Sequence, residues 1–143
     1  MEKIVIDSCI FAKIFLDEED SDKAVSFLEK VINQGTEIIL PFLYSYEVLS
    51  TVIKNKGNSA EAFDILQSYE ESVISLYKTD ERLLQKTEEI LQNGHIKSGF
   101  PYFYDSVYHA LAIINDCDFV TADKAHYEKT KKLGNIKLLS DIE

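Results

Sequence analysis

Four acidic residues of this chain, Asp7, Glu47, Asp105 and Asp123, stand where a carboxylate is costly or where a sheet edge would gather ligands. Asp7 directly follows the apolar run KIVI, at what reads as the carboxyl end of a first strand, and Asp123 follows DFVTA in the same relation to a later one. In an open α/β sheet that edge is where ligands bind. Glu47 sits among Leu43, Tyr44, Tyr46, Val48 and Leu49, and a carboxylate in such company is expensive unless paired or bound to a cation. Asp105 opens the largely apolar stretch DSVYHALAII, which reads as a helix buried on most sides. Brought together, the four would repel one another strongly. A set of hard oxygen ligands without Cys or paired His selects Mg2+ or Mn2+ rather than zinc. Two such ions about 3.5 to 4 Å apart activate a water and stabilise the leaving oxygen of a phosphodiester.

Each acid also has a plainer reading. Asp7 suits a helix N-cap, and Ser8 beside it is a second candidate for that cap. Thr121 and Asp123 would make an N-terminal cap for the last helix, although the Thr121 hydroxyl equally suits orienting a carboxylate or a water. Asp105 near a helix start is favoured by the helix dipole whether or not it binds metal. Glu47 forms a narrow polar stripe with Ser50 and Lys54. His109, one turn after Asp105, is either a partner of the site or simply packed. The joint placement argues for a site: two of the acids end strands at one edge, and two lie near helix starts that lead into it. The acids Asp17, Glu18, Glu19, Asp20 and Asp22 read instead as a solvated connection, and Glu70, Glu71, Glu88 and Glu89 as surface helix charges.

The elements that must position these residues alternate. Short apolar runs predict strands over Lys3 to Ile6, Glu37 to Leu40, Val73 to Tyr77, Asp118 to Val120 and Ile136 to Leu139. Segments of helical period predict helices over Ser8 to Leu16, Asp22 to Asn33, Leu43 to Asn55, Ala60 to Glu70, Asp80 to Asn93, Phe103 to Asn115 and Lys124 to Leu133. That alternation is the pattern of an α/β sheet. Gly35 and Gly134 follow helical runs as cap glycines would, and Pro41 closes the second strand. The stretch NGHIKSGFPY, Asn93 to Tyr102, reads as a mobile flap or a plain helix connector. At 143 residues and 45% hydrophobic content the chain suits a single domain over 1–143. Cys9 and Cys117 follow no metal spacing, and no charged start leads into an apolar run, so a reducing cytoplasm is expected. The longest apolar stretches fall short of the roughly 20 residues a bilayer needs, so no membrane association is expected.

Charge narrows the partners. With 25 acids against 15 bases the net charge is -10, which repels polyphosphate at long range, and only Arg82 is an arginine. If a nucleic acid is the substrate, bound divalent cations must reverse the local field. Lys13, Lys54, Lys124, Lys131 and Lys132 are candidates for phosphate contact or plain solvation. Tyr44, Tyr46, Tyr102 and Tyr104 flank the acids and suit stacking on unpaired bases, the core or a dimer interface.

The blocks VIDSCIFAKIFLDEED from Val5, LPFLYSYEVLSTVIK from Leu40, YFYDSVYHALAI from Tyr102 and FVTADKAHYEKTKKLGNIKLLSD from Phe119 resemble the PIN-domain nucleases. Within them the resemblance is to the VapC-like toxins of toxin–antitoxin pairs. It implies a three-layer α/β/α domain with a parallel sheet of order 3-2-1-4-5 and Mg2+- or Mn2+-dependent endonuclease activity on RNA. Asp7, Glu47, Asp105 and Asp123 match the family's metal-holding acids, and Thr121 its hydroxyl residue before the last acid. Cys9 departs from it, since relatives usually carry Ser or Asn there and a thiol is a poorer hydrogen-bond partner. The resemblance further implies a homodimer and a small antitoxin whose basic tail occupies the acidic groove.

A haloacid-dehalogenase-like phosphatase needs a second aspartate two residues after the first, where Cys9 stands. A receiver domain would carry its aspartate after the third strand, where Asp80 reads as a helix cap. A PIN-like domain without catalysis, serving as an RNA-holding or interaction module, and a housekeeping RNA-processing nuclease remain the alternatives.

Overall fold

A computed structural model describes residues 2–94, 97 and 99–143, so His95, Ile96 and Ser98 of the Asn93 to Tyr102 stretch lie outside the described residues. Five strands form one parallel sheet: β1 (Lys3–Ile6), β2 (Glu37–Pro41), β3 (Ile74–Tyr77), β4 (Asp118–Thr121) and β5 (Ile136–Leu138), in the order β3-β2-β1-β4-β5. Register follows the apolar runs, with Ile4, Val5 and Ile6 beside Asp118, Phe119 and Val120, and Ile38 beside both Ile4 and Ile74. Such strands are buried on both faces, which is why they read as unbroken apolar runs rather than alternations. Val5, Ile6, Ile38, Leu40, Phe119 and Val120 lie at the centre of the core.

The helices are α1 (Ser8–Ala12), α2 (Ser21–Asn33), α3 (Tyr44–Lys54), α4 (Ser59–Ser72), α5 (Glu81–Leu91), α6 (Phe103–Ile114) and α7 (Lys124–Thr130), the last continued by a 3-10 turn over Lys131–Leu133. Parallel strands demand right-handed crossovers. From β1 the chain steps outward through β2 to β3, and after β3 it returns across the sheet to β4 and β5. The handedness rule therefore puts α1 to α4 on one face and α5 to α7 on the other. Packing agrees, since α1 touches α2 and α3, α3 touches α4, α5 lies along α6, and α6 rests on β1, β2 and β4. The result is the α/β/α sandwich with the 3-2-1-4-5 order expected from the sequence.

α6 shows why it makes a rigid platform. Held between α5 and the central strands, it buries seven consecutive residues, Ser106 to Ala112. Each large apolar side chain so buried contributes about 1.5–3 kcal/mol. Elsewhere the boundaries fall within a residue or two of the expected ones, with one larger difference. The first helix was expected to reach Leu16 but ends at Ala12, after which Ile14 and Phe15 donate to Phe11 and Ala12 in tight turns. Contacts from the following residues stop it. The Ser21 hydroxyl donates to the Leu16 carbonyl, and Lys13 pairs with Glu18 at 2.6 Å and Asp20 at 2.9 Å. Part of the acidic run is thus an ion-paired turn rather than a freely solvated connection. Gly35 caps α2 as expected: at φ +72° its N–H donates to Ile32 while that of Thr36 reaches back to Val31. Among the described residues no helix is long and apolar enough to cross a membrane.

Candidate active site

The sheet order reverses between β1 and β4, and in parallel sheets the crevice at the carboxyl ends of such neighbouring strands receives ligands. Asp7 and Thr121 stand there. Asp7 leaves β1 with its N–H still bonded to the Val120 carbonyl at 2.9 Å, so the ladder itself fixes its backbone. Its carboxylate does not cap α1, although it occupies the N-cap position. The side chain is 5% exposed and accepts instead from the Thr121 hydroxyl at 2.6 Å, across 114 residues of sequence. Burial raises the Asp7 carboxyl above its usual range, and the Thr121 bond opposes that rise.

Asp123 fills the cap role the sequence offered it. Its own N–H donates to Thr121 Oγ1 at 3.0 Å, and its Oδ1 accepts from the His126 N–H at 3.0 Å, which caps α7. One Thr121 hydroxyl therefore ties Asp7 to the backbone of Asp123. Asp105 stands in the first turn of α6. Burial, then the charges of Asp7 and Asp123, push the Asp105 carboxyl up to about 7.

Glu47 arrives from the opposite helix layer. It is half-buried on α3, not one more member of an exposed stripe, although Ser50 and Lys54 do share an open groove with it. Burial raises its carboxyl, a hydrogen bond from the Tyr108 hydroxyl at 2.7 Å opposes this, and the Asp7 charge adds to the rise. All four acids thus converge on one sheet edge, and Asp7 acts on both Glu47 and Asp105 through its charge. Lys13, Lys86, Lys131 and Lys137 make their ion pairs with other carboxylates. Among those residues no three His, Cys, Asp or Glu side chains are already closed around a point that could hold a cation. Uncompensated like charges favour such spacing. The set nevertheless suits a hard divalent cation, being made of oxygen ligands.

Residues 4–132 match the sequence profile of the PIN domain. The chain belongs to the PIN domain family. No curated protein matches the sequence. Among solved structures, VapBC2 from Rickettsia felis bound to a DNA fragment from their promoter superposes with a TM-score of 0.67 at 15% identity, over 95% of this chain and 96% of that one. FitAcB from Neisseria gonorrhoeae gives 0.69 at 13%, over 97% and 99%. VapC20 of Mycobacterium tuberculosis, a Sarcin-Ricin loop cleaving toxin, gives 0.66 at 14%, over 92% and 95%. At these identities the likeness establishes the fold.

Around the acids of this PIN domain the fold decides between roles that the sequence left open. His109 is packed: it is fully buried, its Nε2 lies 2.8 Å from the Gly134 carbonyl and its Nδ1 3.3 Å from His126 Nε2. Burial lowers its basicity, and burial beside His109 lowers that of His126 to about 4, so both are neutral at pH 7. Cys9 lies against Asp7, with burial and then the Asp7 charge pushing its thiol well up and away from nucleophilic use. Lys13 is largely buried and committed to Glu18 and Asp20, so it is no spare phosphate contact, while Lys131 makes only an exposed ion pair with Glu128. Tyr44 is not a stacking surface either. It is fully buried and donates to Glu70 at 2.6 Å. Tyr46 and Tyr104 remain exposed on the groove beside Glu47, and Tyr102 carries the Lys129 ammonium 5.7 Å from its ring centre. Ser8 and Tyr108 went unnoticed as partners of the acids. The available signal was a tyrosine inside a helix buried on all sides, whose hydroxyl must find an acceptor.

Proposed function

We propose that this PIN domain is a Mg2+- or Mn2+-dependent endoribonuclease, with Asp7, Glu47, Asp105 and Asp123 as its metal ligands. The gathering of carboxylates from both helix layers, which holds Asp105 at about 7, carries this reading. A divalent cation bound there would polarise a water and neutralise charge on the scissile phosphate. The side chains do the rest. Thr121 holds Asp7 in one orientation through its hydroxyl, and its contact with the Asp123 N–H keeps the two strand-end acids in fixed relation. The Asp105 proton must leave before that carboxylate serves as a ligand, so metal binding and deprotonation are linked. Tyr46 and Tyr104 offer stacking faces beside Glu47, and base stacking of this kind contributes about 1–3 kcal/mol per base. That suits a protein of net charge -10, which has few cations to hold an RNA backbone.

The same reading makes the chain the toxin of a toxin–antitoxin pair, working in the cytoplasm as a homodimer. Its fold likeness to proteins solved in VapBC and FitAB complexes supports an antitoxin partner. An acidic groove favours a basic tail on that partner. The test is cleavage of RNA by purified protein with added Mn2+ or Mg2+. Activity should vanish with EDTA and fall by about 100-fold or more in Asp7→Asn. Cleavage indifferent to both changes sinks the enzyme. A PIN-like module without catalysis is favoured by one observation, that no three ligands are already closed around a common point among the described residues, and the same assay separates the two readings.

A further inference from the structure

Tyr108 is no part of the acid set. It follows Asp105 by one turn of α6 and is fully buried, with its ring stacked on Phe119 of β4 at 5.8 Å between centroids and 16° between planes. Volume alone would be filled as well by phenylalanine, and burying the extra hydroxyl without a partner costs about 1–3 kcal/mol. Its partner is Glu47 Oε1 at 2.7 Å, 61 residues away on the other helix layer. The stacked ring cannot swing without disturbing β4, so the phenol oxygen is a fixed point to which the more exposed glutamate adapts. Ser8 adds to the arrangement. Its hydroxyl donates to Asp7 Oδ1 at 3.4 Å. α6 thus carries one acid directly, Asp105, and holds a second through Tyr108.

We propose that Tyr108 is a positioning residue of the metal centre: its hydroxyl fixes the Glu47 carboxylate beside Asp7 and engages one oxygen, so that Glu47 offers a cation the other. This rests on the metal-centre reading above. A long glutamate side chain entering from α3 otherwise has several rotamers to lose on binding a cation, and the phenol removes most of that freedom beforehand. Partners of this kind behind metal ligands typically change metal affinity by about 10–100-fold.

The test measures Mn2+ binding by electron paramagnetic resonance of the free ion, at fixed pH and without RNA. Tyr108→Phe keeps the stack on Phe119 and deletes only the hydroxyl, and its Kd for Mn2+ should rise by about tenfold or more. In a Glu47→Gln background the same change should add no further loss, because Tyr108 acts through that carboxylate. An unchanged Kd in Tyr108→Phe, or a loss that adds fully to that of Glu47→Gln, overturns the proposal and leaves the metal centre standing. A wild-type protein that binds no Mn2+ removes both. Should Tyr108→Phe fail to fold, Phe119→Leu keeps the hydroxyl but frees the ring, and must weaken Mn2+ binding for the proposal to survive.

Discussion

Asp105→Asn should make the metal-free protein more stable while abolishing its activity. In the folded chain the Asp105 carboxyl is carried from 3.8 to about 7 by burial and by its acidic neighbours. Between those values the folded protein holds a proton that the unfolded chain has released, so stability is fully present below about pH 4 and is lost as pH rises through about 7. Full linkage would put the loss near 4 kcal/mol on the order-of-magnitude conversion of about 1.4 kcal/mol per pH unit. Asp105 is only partly buried, so solvent screening brings the figure to about 2 kcal/mol. Asparagine has the shape of the protonated acid and carries no charge. With EDTA present, urea unfolding at pH 8 should therefore find the variant about 2 kcal/mol more stable, or roughly 4–8 °C higher in Tm. At pH 4 the two proteins should agree. A variant less stable than wild type at pH 8, or a gain of the same size at both pH values, would refute the electrostatic account of this site.

Thr121→Val deletes the donor to a buried carboxylate and the acceptor of the Asp123 N–H. Chemical unfolding should show a loss of about 1–3 kcal/mol, largely restored in Thr121→Ser, and RNA cleavage should fall with it. Replacing Tyr46 and Tyr104 together with alanine should raise KM for an unpaired RNA several-fold and leave kcat and Mn2+ affinity nearly unchanged. Steady-state kinetics beside a metal titration would check this, and an unchanged KM would remove those rings from the binding surface.

Much of the frame was legible without coordinates, for a local reason. Parallel strands buried on both faces leave unbroken runs such as KIVI and EIIL, and the acid that ends such a run must emerge at the carboxyl edge. This brought Asp7 and Asp123 to one side of the sheet on paper. Asp123 as the cap of the last helix was readable too, because capping spans only three residues. The end of the first helix was not, since the groups that stop it at Ala12 come from Glu18, Asp20 and Ser21 beyond its own period.

Side-chain roles that depend on a distant partner were hidden. Asp7 and Ser8 look like a helix cap, and only Thr121, 114 residues on, shows the carboxylate turned to the strand edge instead. Tyr44 and Tyr46 lie two residues apart on α3, yet one is wholly buried and the other 78% exposed. A helix sequence carries its own period but not the phase at which neighbouring helices will meet it. The four acids follow the same division. Their residue types, and their places after strands and in helices, are local and were written in the chain. Their mutual charge, the raised Asp105 carboxyl, and the Tyr108 hydroxyl behind Glu47 exist only because the fold brings residues from both helix layers to one edge of the sheet.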